Sequence, residues 1–241
     1  MDSTLWDAIE KVERQHWWFR GRRELVTSVV RERLPVGAKV LDVGCGTGFV
    51  LERLLEVFDA WGVEPDVSVR ERATQFAKPR ILSGSTEDLS LVEANSFDAV
   101  LLLDVLEHVA HDTEALRSAA TLLRPGGSVL ITVPAFPFLW SSHDVRNQHR
   151  RRYTRASLRS TIRDAGLRPT LLTFVNARLF PLAMAHRIVL TAFGRRTDRE
   201  LDLPPRYIND LFMRIFSGEA QQASRGYPFG LSLIAWASPS D

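Results

Sequence analysis

Short apolar runs of strand length alternate along the chain with stretches in which apolar residues recur at helical spacing. The run Phe97–Leu103 is almost continuous, which is typical of a strand buried on both faces. This alternation predicts a parallel sheet whose strands are joined by crossover helices. The predicted strands are Lys39–Val43, Ala60–Glu64, Arg80–Ser83, Phe97–Leu103, Ser128–Val133, Pro169–Asn176 and Leu231–Ala237.

Helical periodicity occupies most of the remaining chain, with proline, glycine and capping residues at its limits. Arg124-Pro125-Gly126-Gly127 ends one predicted helix, whereas Thr154 and Gly166 delimit another as its N-cap and its stop. Ala135–Tyr153 lacks clean periodicity, and we expect an inserted loop over the active-site edge of the sheet. The predicted helices are Leu5–Arg14, Arg22–Leu34, Thr47–Phe58, Val67–Phe76, Asp112–Leu123, Thr154–Ala165, Ala177–Phe193 and Arg206–Gln222.

Composition narrows the class of protein. The chain has 31 Lys and Arg against 29 Asp and Glu, and this balance does not indicate a dedicated nucleic-acid binder. Its single cysteine, Cys45, leaves no intramolecular disulfide and fits a reducing compartment. No apolar run reaches the ~18 residues of a spanning helix, and Met1–Gln15 lacks the pattern of a signal peptide. We therefore expect a cytoplasmic protein.

The clearest candidate for ligand binding is the loop Asp42-Val43-Gly44-Cys45-Gly46-Thr47-Gly48, which follows the first predicted strand. Glycine permits a tight turn and a close approach of the backbone to a ligand. A strand-to-helix turn without a ligand is the simpler alternative. The dinucleotide fingerprint requires a third glycine where this chain has Phe49. Asp42 would repel a phosphate but suits a cationic sulfonium, so the loop favours S-adenosylmethionine over a nucleotide phosphate.

A second candidate, Glu64, lies sixteen positions after Gly48 at the end of the second predicted strand. A carboxylate at that place can accept hydrogen bonds from both hydroxyls of a ribose, as it does in dinucleotide-binding folds. The alternative is a solvated acid at a strand end. Its placement directly beside the glycine-rich loop favours the ribose contact.

Four blocks of sequence occur in a recognisable order: Val40–Gly48, Gly62–Pro65, Gly84–Asp88 with Phe97–Val109, and Leu122–Val133. Together they resemble the class I S-adenosylmethionine-dependent methyltransferases (the type 11/12 group), which includes ubiquinone and menaquinone biosynthesis enzymes. The resemblance covers roughly residues 35–170. It implies an α/β fold, a doubly wound, Rossmann-like seven-stranded sheet with helices on both faces and the last strand antiparallel.

The resemblance also implies how the cofactor is held. Glu64 would hold the ribose, the residues after strand three would lie beside the adenine, and Leu103 with Asp104 would lie near the methionine moiety. His108, one turn further on, would face the acceptor. The implied set of cofactor-site residues is Asp42, Gly44, Cys45, Gly46, Gly48, Glu64, Pro65, Ser85, Thr86, Glu87, Leu103, Asp104 and His108.

The segment His16-Trp17-Trp18-Phe19-Arg20-Gly21-Arg22-Arg23 resembles a subgroup in which an N-terminal helix closes over the cofactor. In that arrangement Arg20 would pair with the carboxylate of S-adenosylmethionine, and Trp18 would lie beside the cofactor. The alternative is a helix that packs its aromatic side chains on the core and leaves its arginines in solvent.

Methyl transfer needs an aligned acceptor and, for some acceptors, a base, but neither a metal nor a covalent nucleophile. The inserted loop follows strand five, at the edge where open α/β sheets bind ligands. We predict His143 or His149 as the base, Asp144 orienting a partner, and Tyr153 binding the acceptor or shaping its pocket. The alternative is that these groups only brace the loop, and their spacing does not indicate a metal site. The arginines at 150–152 suggest an anionic acceptor.

The C-terminal third, Phe174–Pro228, interleaves aromatic residues and arginines. These aromatic residues would line an apolar acceptor pocket, form a dimer surface, contact a membrane surface peripherally or pack in the core. The sequence therefore predicts a methyltransferase for a small-molecule acceptor, anionic or amphiphilic, methylated on O, N or C. We expect a monomer or homodimer that binds no nucleic acid.

Other functions remain open with the same cofactor. An enzyme that transfers the aminocarboxypropyl group is one, and a non-catalytic cofactor-binding partner subunit is another. Methylation of RNA or protein is disfavoured by the near-neutral charge. We expect one domain over residues 1–241, with a helical cap at 1–34, a cofactor-binding core at 35–134, a substrate loop at 135–155 and a helical insertion at 177–227.

Overall fold

Seven strands form the centre of the computed structural model, which describes residues 3–185 and 202–240. They are β1 (Lys39–Val43), β2 (Asp59–Glu64), β3 (Ile81–Ser83), β4 (Phe97–Leu103), β5 (Leu123–Pro134), β6 (Leu167–Val175) and β7 (Ser232–Pro239). Their order in the sheet is β3-β2-β1-β4-β5-β7-β6. β7 runs antiparallel to both of its neighbours, whereas the other pairs are parallel. The predicted doubly wound sheet with an antiparallel last strand is confirmed.

Helices cover both faces of this sheet, as the apolar run of β4 predicts. The helices are α1 (Ser3–Val12), α2 (Trp17–Arg31), α3 (Phe49–Leu54), α4 (Val67–Glu71), α5 (Asp112–Ala120), α6 (Ser142–Arg146), α7 (Arg155–Asp164) and a C-terminal helix at Arg206–Ser217. Residues 180–185 are also helical. Val100 and Leu102 of β4 pack in the core under α5 and α7, whereas Ala99 and Leu101 pack in the core under α2 and α3. Alternate residues of one strand thus belong to two separate cores.

The start of α2 differs from the sequence prediction. The helix begins at Trp17 rather than Arg22 because the His16 ring accepts a hydrogen bond from the Trp18 amide at 3.2 Å and caps it. Histidine is not among the preferred N-cap residues, so the sequence carries no recognisable capping signal there. As a result Trp18 and Arg22 lie one turn apart on the same helix.

The start of β5 also differs, because the segment predicted to separate a helix from a strand lies inside the strand. β5 begins at Leu123 rather than Ser128, and residues 124–127 form an irregularity in its pairing with β4. Gly126 adopts a left-handed φ of 84°, which permits this excursion without ending the strand.

The segment predicted as an inserted loop, Ala135–Tyr153, contains regular structure. Pro137–Leu139 forms a 3-10 turn, and α6 follows it. Ser141 and Asp144 cap α6 reciprocally, each side chain accepting from the other residue's backbone. The two ends of the segment form a β-bridge with one another. The insertion therefore contains a capped helical turn, and a β-bridge joins its first and last residues.

The C-terminal helix packs on α2 through aromatic side chains. The Trp17 ring lies 5.6 Å from the Phe212 ring and 6.2 Å from the Phe216 ring, centroid to centroid. These two phenylalanines therefore pack between helices, which is one of the alternatives that the sequence left open. The helix ends at Ser217, not at Gln222 as predicted.

Part of the predicted helix Ala177–Phe193 lies outside the described residues, because these stop at 185 and resume at 202. Within the described ranges, no helix is long and apolar enough to cross a membrane. The cytoplasmic location and the division into cap, core, loop and helical insertion stay predictions.

Candidate cofactor and acceptor site

The glycine-rich loop after β1 can be formed only by glycine at two of its positions. Gly44 and Gly48 adopt φ angles of 75° and 78°, in the left-handed region that other residues avoid. A Cβ at Gly44 would lie 2.8 Å from Val105, and one at Gly48 would lie 2.9 Å from Ala77. The left-handed Gly48 also delays the start of α3 to Phe49, two residues later than predicted. Close packing against these neighbours therefore excludes larger residues at both positions, and the Gly44 amide ties the loop to the Val63 carbonyl at 2.7 Å.

Asp42 is buried at the carboxyl-terminal half of β1. Its side chain is 2% exposed, and its Oδ1 has no hydrogen-bond partner among the described residues. Burial raises the pKa of this carboxyl to about 7, with Glu64 adding to the increase and Arg22 opposing it. A buried carboxylate oxygen without a partner costs free energy unless a donor or a cation approaches it. Asp42 thus suits a ligand that brings positive charge.

Glu64 at the end of β2 contacts the loop directly. Its Oε2 accepts a hydrogen bond from the Gly46 amide at 3.0 Å, and its Oε1 accepts one from the Asp66 amide at 3.1 Å. Burial raises its pKa, although these two hydrogen bonds oppose the increase. The carboxylate is therefore fixed beside the loop, and any ribose hydroxyl would share it with these backbone donors.

Two other residues predicted for the cofactor site, Cys45 and Pro65, support the backbone around it. Cys45 lies against β2, where a Cβ at Gly62 would meet its Sγ at 2.6 Å, and burial raises its pKa well above the ordinary value. This geometry makes it a small packing residue. The Pro65 carbonyl accepts a hydrogen bond from the Arg70 side chain at 2.9 Å, which holds the turn after β2.

The residues predicted to lie beside the adenine form a turn after β3. Ser85 Oγ accepts hydrogen bonds from the amides of Glu87 and Asp88, each at 3.2 Å. Thr86 is buried, whereas Glu87 is exposed. The Ser85 side chain is thus used to shape the turn, which leaves backbone groups as the main means of contacting a ligand there.

α1 lies against the glycine-rich loop. A Cβ at Gly46 would be 3.1 Å from the Trp6 ring, so this ring covers the loop. Just after α1, both carboxylate oxygens of Glu13 accept from the Thr47 hydroxyl, at 2.9 and 2.8 Å. Burial raises the pKa of Glu13 to about 6. Glu13 is not among the predicted site residues, because nothing in a polar N-terminal helix marks which of its acids is buried.

Arg20 and Arg22 have different surroundings. Arg20, predicted to bind the cofactor carboxylate, pairs instead with Asp210 of the C-terminal helix at 2.7 Å. Arg22 Nε lies 2.6 Å from Asp104 Oδ2, and its Nη2 donates to the Leu103 carbonyl at 2.7 Å. The Trp18 ring lies 5.4 Å from the Arg22 guanidinium. The cation at the end of β4 is therefore Arg22. The sequence analysis did not predict this role, because it began the helix at Arg22 and so did not place this residue one turn after Trp18.

In the insertion, Asp144 is fully buried and accepts hydrogen bonds from three residues. His149 Nδ1 donates to it at 2.9 Å, Arg152 Nε at 2.7 Å and the Ser141 amide at 2.7 Å. Burial alone would raise its pKa, but the hydrogen bonds from His149 and Arg152 hold it well below the usual range. Because an ionised carboxylate only accepts, His149 carries its proton on Nδ1 and offers Nε2 to other groups. The predicted orienting role of Asp144 thus has the required contact.

The arginines predicted to attract an anionic acceptor hold the backbone after β4. The Arg150 amide donates to the Glu107 carbonyl at 2.7 Å, and its Nε donates to the His108 carbonyl at 3.0 Å. Arg151 donates to the Val109 and Ala110 carbonyls at 3.0 and 2.7 Å. The insertion is thereby fastened to the loop between β4 and α5.

Tyr153 also holds the insertion against the loop between β4 and α5. Its hydroxyl is buried and donates to Asp112 Oδ2 at 2.7 Å and to the Leu106 carbonyl at 3.2 Å. Burial, together with the Asp112 hydrogen bond, raises its pKa far above the ordinary value. Of the two roles predicted for Tyr153, this geometry supports shaping the pocket rather than binding the acceptor.

These contacts bring the side chains of Glu107, His108, His143 and His149 together. The His108 and His149 rings are 4.8 Å apart, and the His143 ring is 5.8 Å from His149, centroid to centroid. Donor atoms of Glu107, His108 and His149 all lie within 4.8 Å of one another. Burial and the neighbouring His149 lower the pKa of His108 to about 4. Burial and the nearby Asp104 raise the pKa of Glu107 well above its ordinary value. Asp104 therefore connects this cluster to Arg22.

Comparison with known proteins decides the family. A family model described as a methyltransferase domain matches residues 13–172. The chain belongs to this family. The match extends past the predicted blocks to include α2, and it confirms the resemblance to class I S-adenosylmethionine-dependent methyltransferases.

Individual relatives agree with this assignment. A ubiquinone biosynthesis O-methyltransferase of Xanthomonas axonopodis pv. citri is 34% identical over 142 residues, which is 54% of this chain and 56% of the relative. The chain therefore spans about half the length of that relative.

Two solved structures share the fold. One, from Thermotoga maritima, is described as a possible histamine N-methyltransferase (TM-score 0.58, 19% identity, covering 98% of this chain and 100% of the other). The other is geranyl diphosphate methyltransferase with its cofactor (TM-score 0.62, 13%, covering 92% and 85%).

Proposed function

We propose that this chain is an S-adenosylmethionine-dependent methyltransferase that acts on a small-molecule acceptor. The observation that carries the proposal is the buried Asp42, whose Oδ1 lacks a hydrogen-bond partner in the described part of the chain. It lies at the base of a loop in which Gly44 and Gly48 are required by sterics. A cationic ligand would stabilise the ionised carboxylate. The family and the cofactor-bound structure of a fold relative support this choice of ligand.

The cofactor would lie along the carboxyl ends of β1, β2 and β4. The glycine-rich loop and Glu64 would hold the ribose side, and the turn at residues 85–87 would contact the adenine through its backbone. Asp42, together with the Arg22–Asp104 pair, would hold the methionine end. When bound, S-adenosylmethionine supplies a methyl group on a positively charged sulfur.

The acceptor would lie beside the insertion, with His149 as its base. His149 Nε2 takes the proton of the acceptor, and the ionised Asp144 stabilises the imidazolium that forms. His143 lies further along the same ring cluster and stays the second candidate. Because O-methylation requires removal of a hydroxyl proton, and because the curated relative is named as an O-methyltransferase, we propose a hydroxyl acceptor.

Aromatic side chains of the insertion favour an acceptor with an apolar part. The Phe136 ring stacks on Phe174 at 5.0 Å and lies 5.2 Å from Phe138 and 5.9 Å from Phe180. Phe138 is 65% exposed. A partly exposed group of aromatic rings, two of which belong to the same insertion as His143 and His149, is suited to an amphiphilic molecule. The arginines at 150–152 donate to backbone carbonyls and to a carboxylate, so these contacts favour an apolar or amphiphilic acceptor over a purely anionic one.

The first experiment is calorimetric titration of the purified chain with S-adenosylmethionine, S-adenosylhomocysteine and NAD. We expect the two sulfur compounds to bind and NAD not to bind. Glu64→Gln should weaken binding of both, whereas the matched exposed variant Glu71→Gln should not. Binding of NAD, or failure of both sulfur compounds to bind, would refute the cofactor assignment.

The second experiment adds hydroxylated aromatic acceptors and measures product mass. The proposal expects the mass of one methyl group to be added. It also expects that His149→Gln lowers turnover while the exposed control His111→Asn retains it. A product that instead gains the mass of an aminocarboxypropyl group would contradict methyl transfer and support the alternative reaction. Cofactor binding without any product from a broad acceptor panel would favour the non-catalytic subunit.

A further inference from the structure

Glu107, His108 and His149 form a donor set that the proposed methyl transfer does not fully use. Their ligand atoms, one carboxylate oxygen and two imidazole nitrogens, lie within 4.8 Å of one another. A tetrahedral divalent ion with bonds of about 2.1 Å places its ligand atoms about 3.4 Å apart. Small side-chain rotations would therefore close these three groups around one ion.

The carboxylate of the set is buried and incompletely bonded. Glu107 is 1% exposed, and within residues 3–185 and 202–240 its Oε2 has no hydrogen-bond partner. Its backbone is held by the Arg150 amide at 2.7 Å, so the side chain starts from a fixed position. A buried carboxylate oxygen with nothing to accept from is costly, and a cation would relieve that cost.

The histidine supplied by the insertion has the support that metal-binding histidines usually have. Asp144 fixes His149 through Nδ1 at 2.9 Å, which directs Nε2 to external groups and sets the tautomer. Carboxylate–histidine–metal chains of this kind orient the ring and increase its basicity. Asp144 itself is held by Arg152 at 2.7 Å. The orientation of His149 therefore depends on contacts that do not involve the donor set.

The charges around the set are balanced. The carboxylates nearby are Asp104, Glu107 and Asp144, and the guanidinium groups nearby are those of Arg22, Arg152 and Arg150, the last of which is exposed and donates to the His108 carbonyl at 3.0 Å. Arg22 pairs with Asp104, and Arg152 pairs with Asp144. The carboxylate left without a paired cation is Glu107, the member of the donor set.

We propose that Glu107, His108 and His149 bind a divalent cation of intermediate softness, such as Zn²⁺ or Co²⁺, with Asp144 as the residue that orients His149. Two imidazoles and one carboxylate suit this class better than Mg²⁺ or Ca²⁺, which prefer oxygen ligands. The cation uses the same Nε2 lone pair that would accept a proton. Metal binding and the base role of His149 therefore exclude one another, and the cation acts as an inhibitor of that role.

Binding is tested without cofactor or acceptor, so its outcome is independent of the proposed methyl transfer. The full chain, without a polyhistidine tag and freed of metal by chelation, is titrated with Co²⁺ and followed by visible absorption and calorimetry. The proposal expects a one-to-one complex with the strong absorption of four- or five-coordinate Co²⁺. Mg²⁺ should not displace it, whereas Zn²⁺ should.

Variants separate this site from incidental binding. His149→Gln and Glu107→Gln should weaken Co²⁺ at least about 100-fold, and Asp144→Asn should weaken it about 10–100-fold through loss of orientation. The exposed control His111→Asn should bind as the unmodified chain does. Each variant is checked for unchanged circular dichroism and S-adenosylmethionine binding, and the Glu107 and His149 variants provide independent tests if one fails to fold. The weak absorption of six-coordinate aqueous Co²⁺, or equal affinity in His149→Gln and His111→Asn, would overturn the proposal.

Discussion

Single buried charges distinguish the two halves of the site. On the cofactor side, Asp42 is buried beside the glycine-rich loop and is not ion-paired to Arg22, which pairs with Asp104 instead. On the acceptor side, Asp144 is equally buried but binds His149 and Arg152. The same chemical group therefore lacks a directly paired cation at one place and has bonded cationic partners at the other. The first arrangement suits a cationic ligand, and the second suits the orientation of a base.

Asp42 should make cofactor binding depend on pH. Its pKa is raised to about 7 by burial, so below pH 7 the carboxyl is protonated in the ligand-free protein. A cationic ligand favours the ionised form and must displace that proton, which weakens binding by up to about tenfold per pH unit. We expect the affinity for S-adenosylmethionine to fall between pH 7 and 5.5, measured by calorimetry. Asp42→Asn should bind more weakly with a flat profile, whereas the exposed control Asp164→Asn should keep the slope.

Arg22 and Arg20 provide a matched pair for the N-terminal helix. Arg22→Gln removes the partner of Asp104 and a donor to the Leu103 carbonyl at the end of β4. A charge-assisted contact is worth about 1.5–3 kcal/mol; because these contacts fix the methionine end of the proposed site, we expect their loss to lower cofactor affinity by up to about 10–100-fold. Arg20→Gln breaks a more exposed pair with Asp210, worth at most about 1 kcal/mol, and should leave cofactor affinity near that of the unmodified chain. Equal effects in the two variants would contradict this assignment.

At the scale of elements, the insertion after β5 acts as a part of the loop that follows β4. Arg150, Arg151 and Tyr153 all bond to residues 106–112, so the two segments hold each other in place. α6 then presents His143 and the base of the insertion presents His149 at one edge of the sheet. Without these contacts the histidines would be on a free surface loop.

Tyr153→Phe tests this fastening separately from catalysis. The variant removes the buried hydrogen bonds to Asp112 and the Leu106 carbonyl, which should lower the free energy of unfolding by about 1–2 kcal/mol. Cofactor affinity should not change, because both hydrogen-bond partners of the Tyr153 hydroxyl follow β4 and neither belongs to the glycine-rich loop. Tyr207→Phe on the exposed surface should change stability by less than about 0.5 kcal/mol. Denaturant unfolding measures both, and loss of cofactor binding in Tyr153→Phe would argue against a purely structural role.

The elements that the sequence predicts well are those set by local pattern. The continuous apolar run of β4 and the glycines after β1 act within a few residues, so the sequence predicts both at their places. Arg22 with Asp104, and Arg150 with Glu107, join residues far apart in the chain. No periodicity marks such pairs. The helical order of α6 inside the insertion escapes prediction for a related reason, since a capped turn of five residues is too short to show a period.

At the scale of the whole molecule, opposed titrations set the stability near neutral pH. Protonated Asp42 contributes stability that is present below about pH 3.8 and is lost as the pH rises through about 7. The raised pKa of Glu13, about 6, acts in the same direction at lower pH. Burial lowers the pKa of His16 and His108, so these histidines remove stability as the pH falls below about 6.5. Between pH 6.5 and 7.5 the two histidines no longer contribute, and the ionisation of Asp42 lowers stability as the pH rises, in the same direction as the raised pKa of Glu107.

The ligand-free chain should accordingly lose thermal stability as the pH rises from 6.5 to 7.5, because the folded protein must then hold an ionised, buried Asp42. Asp42→Asn carries no such charge and should show a flatter melting profile over this interval. Saturating S-adenosylmethionine should also flatten the profile of the unmodified chain, because its positive charge compensates the carboxylate. Calorimetric melting of the three samples in buffers of equal ionic strength measures these slopes. If the ligand-free chain and Asp42→Asn gave parallel slopes, Asp42 would already be compensated within the protein, and its role as the cation-binding group would be lost.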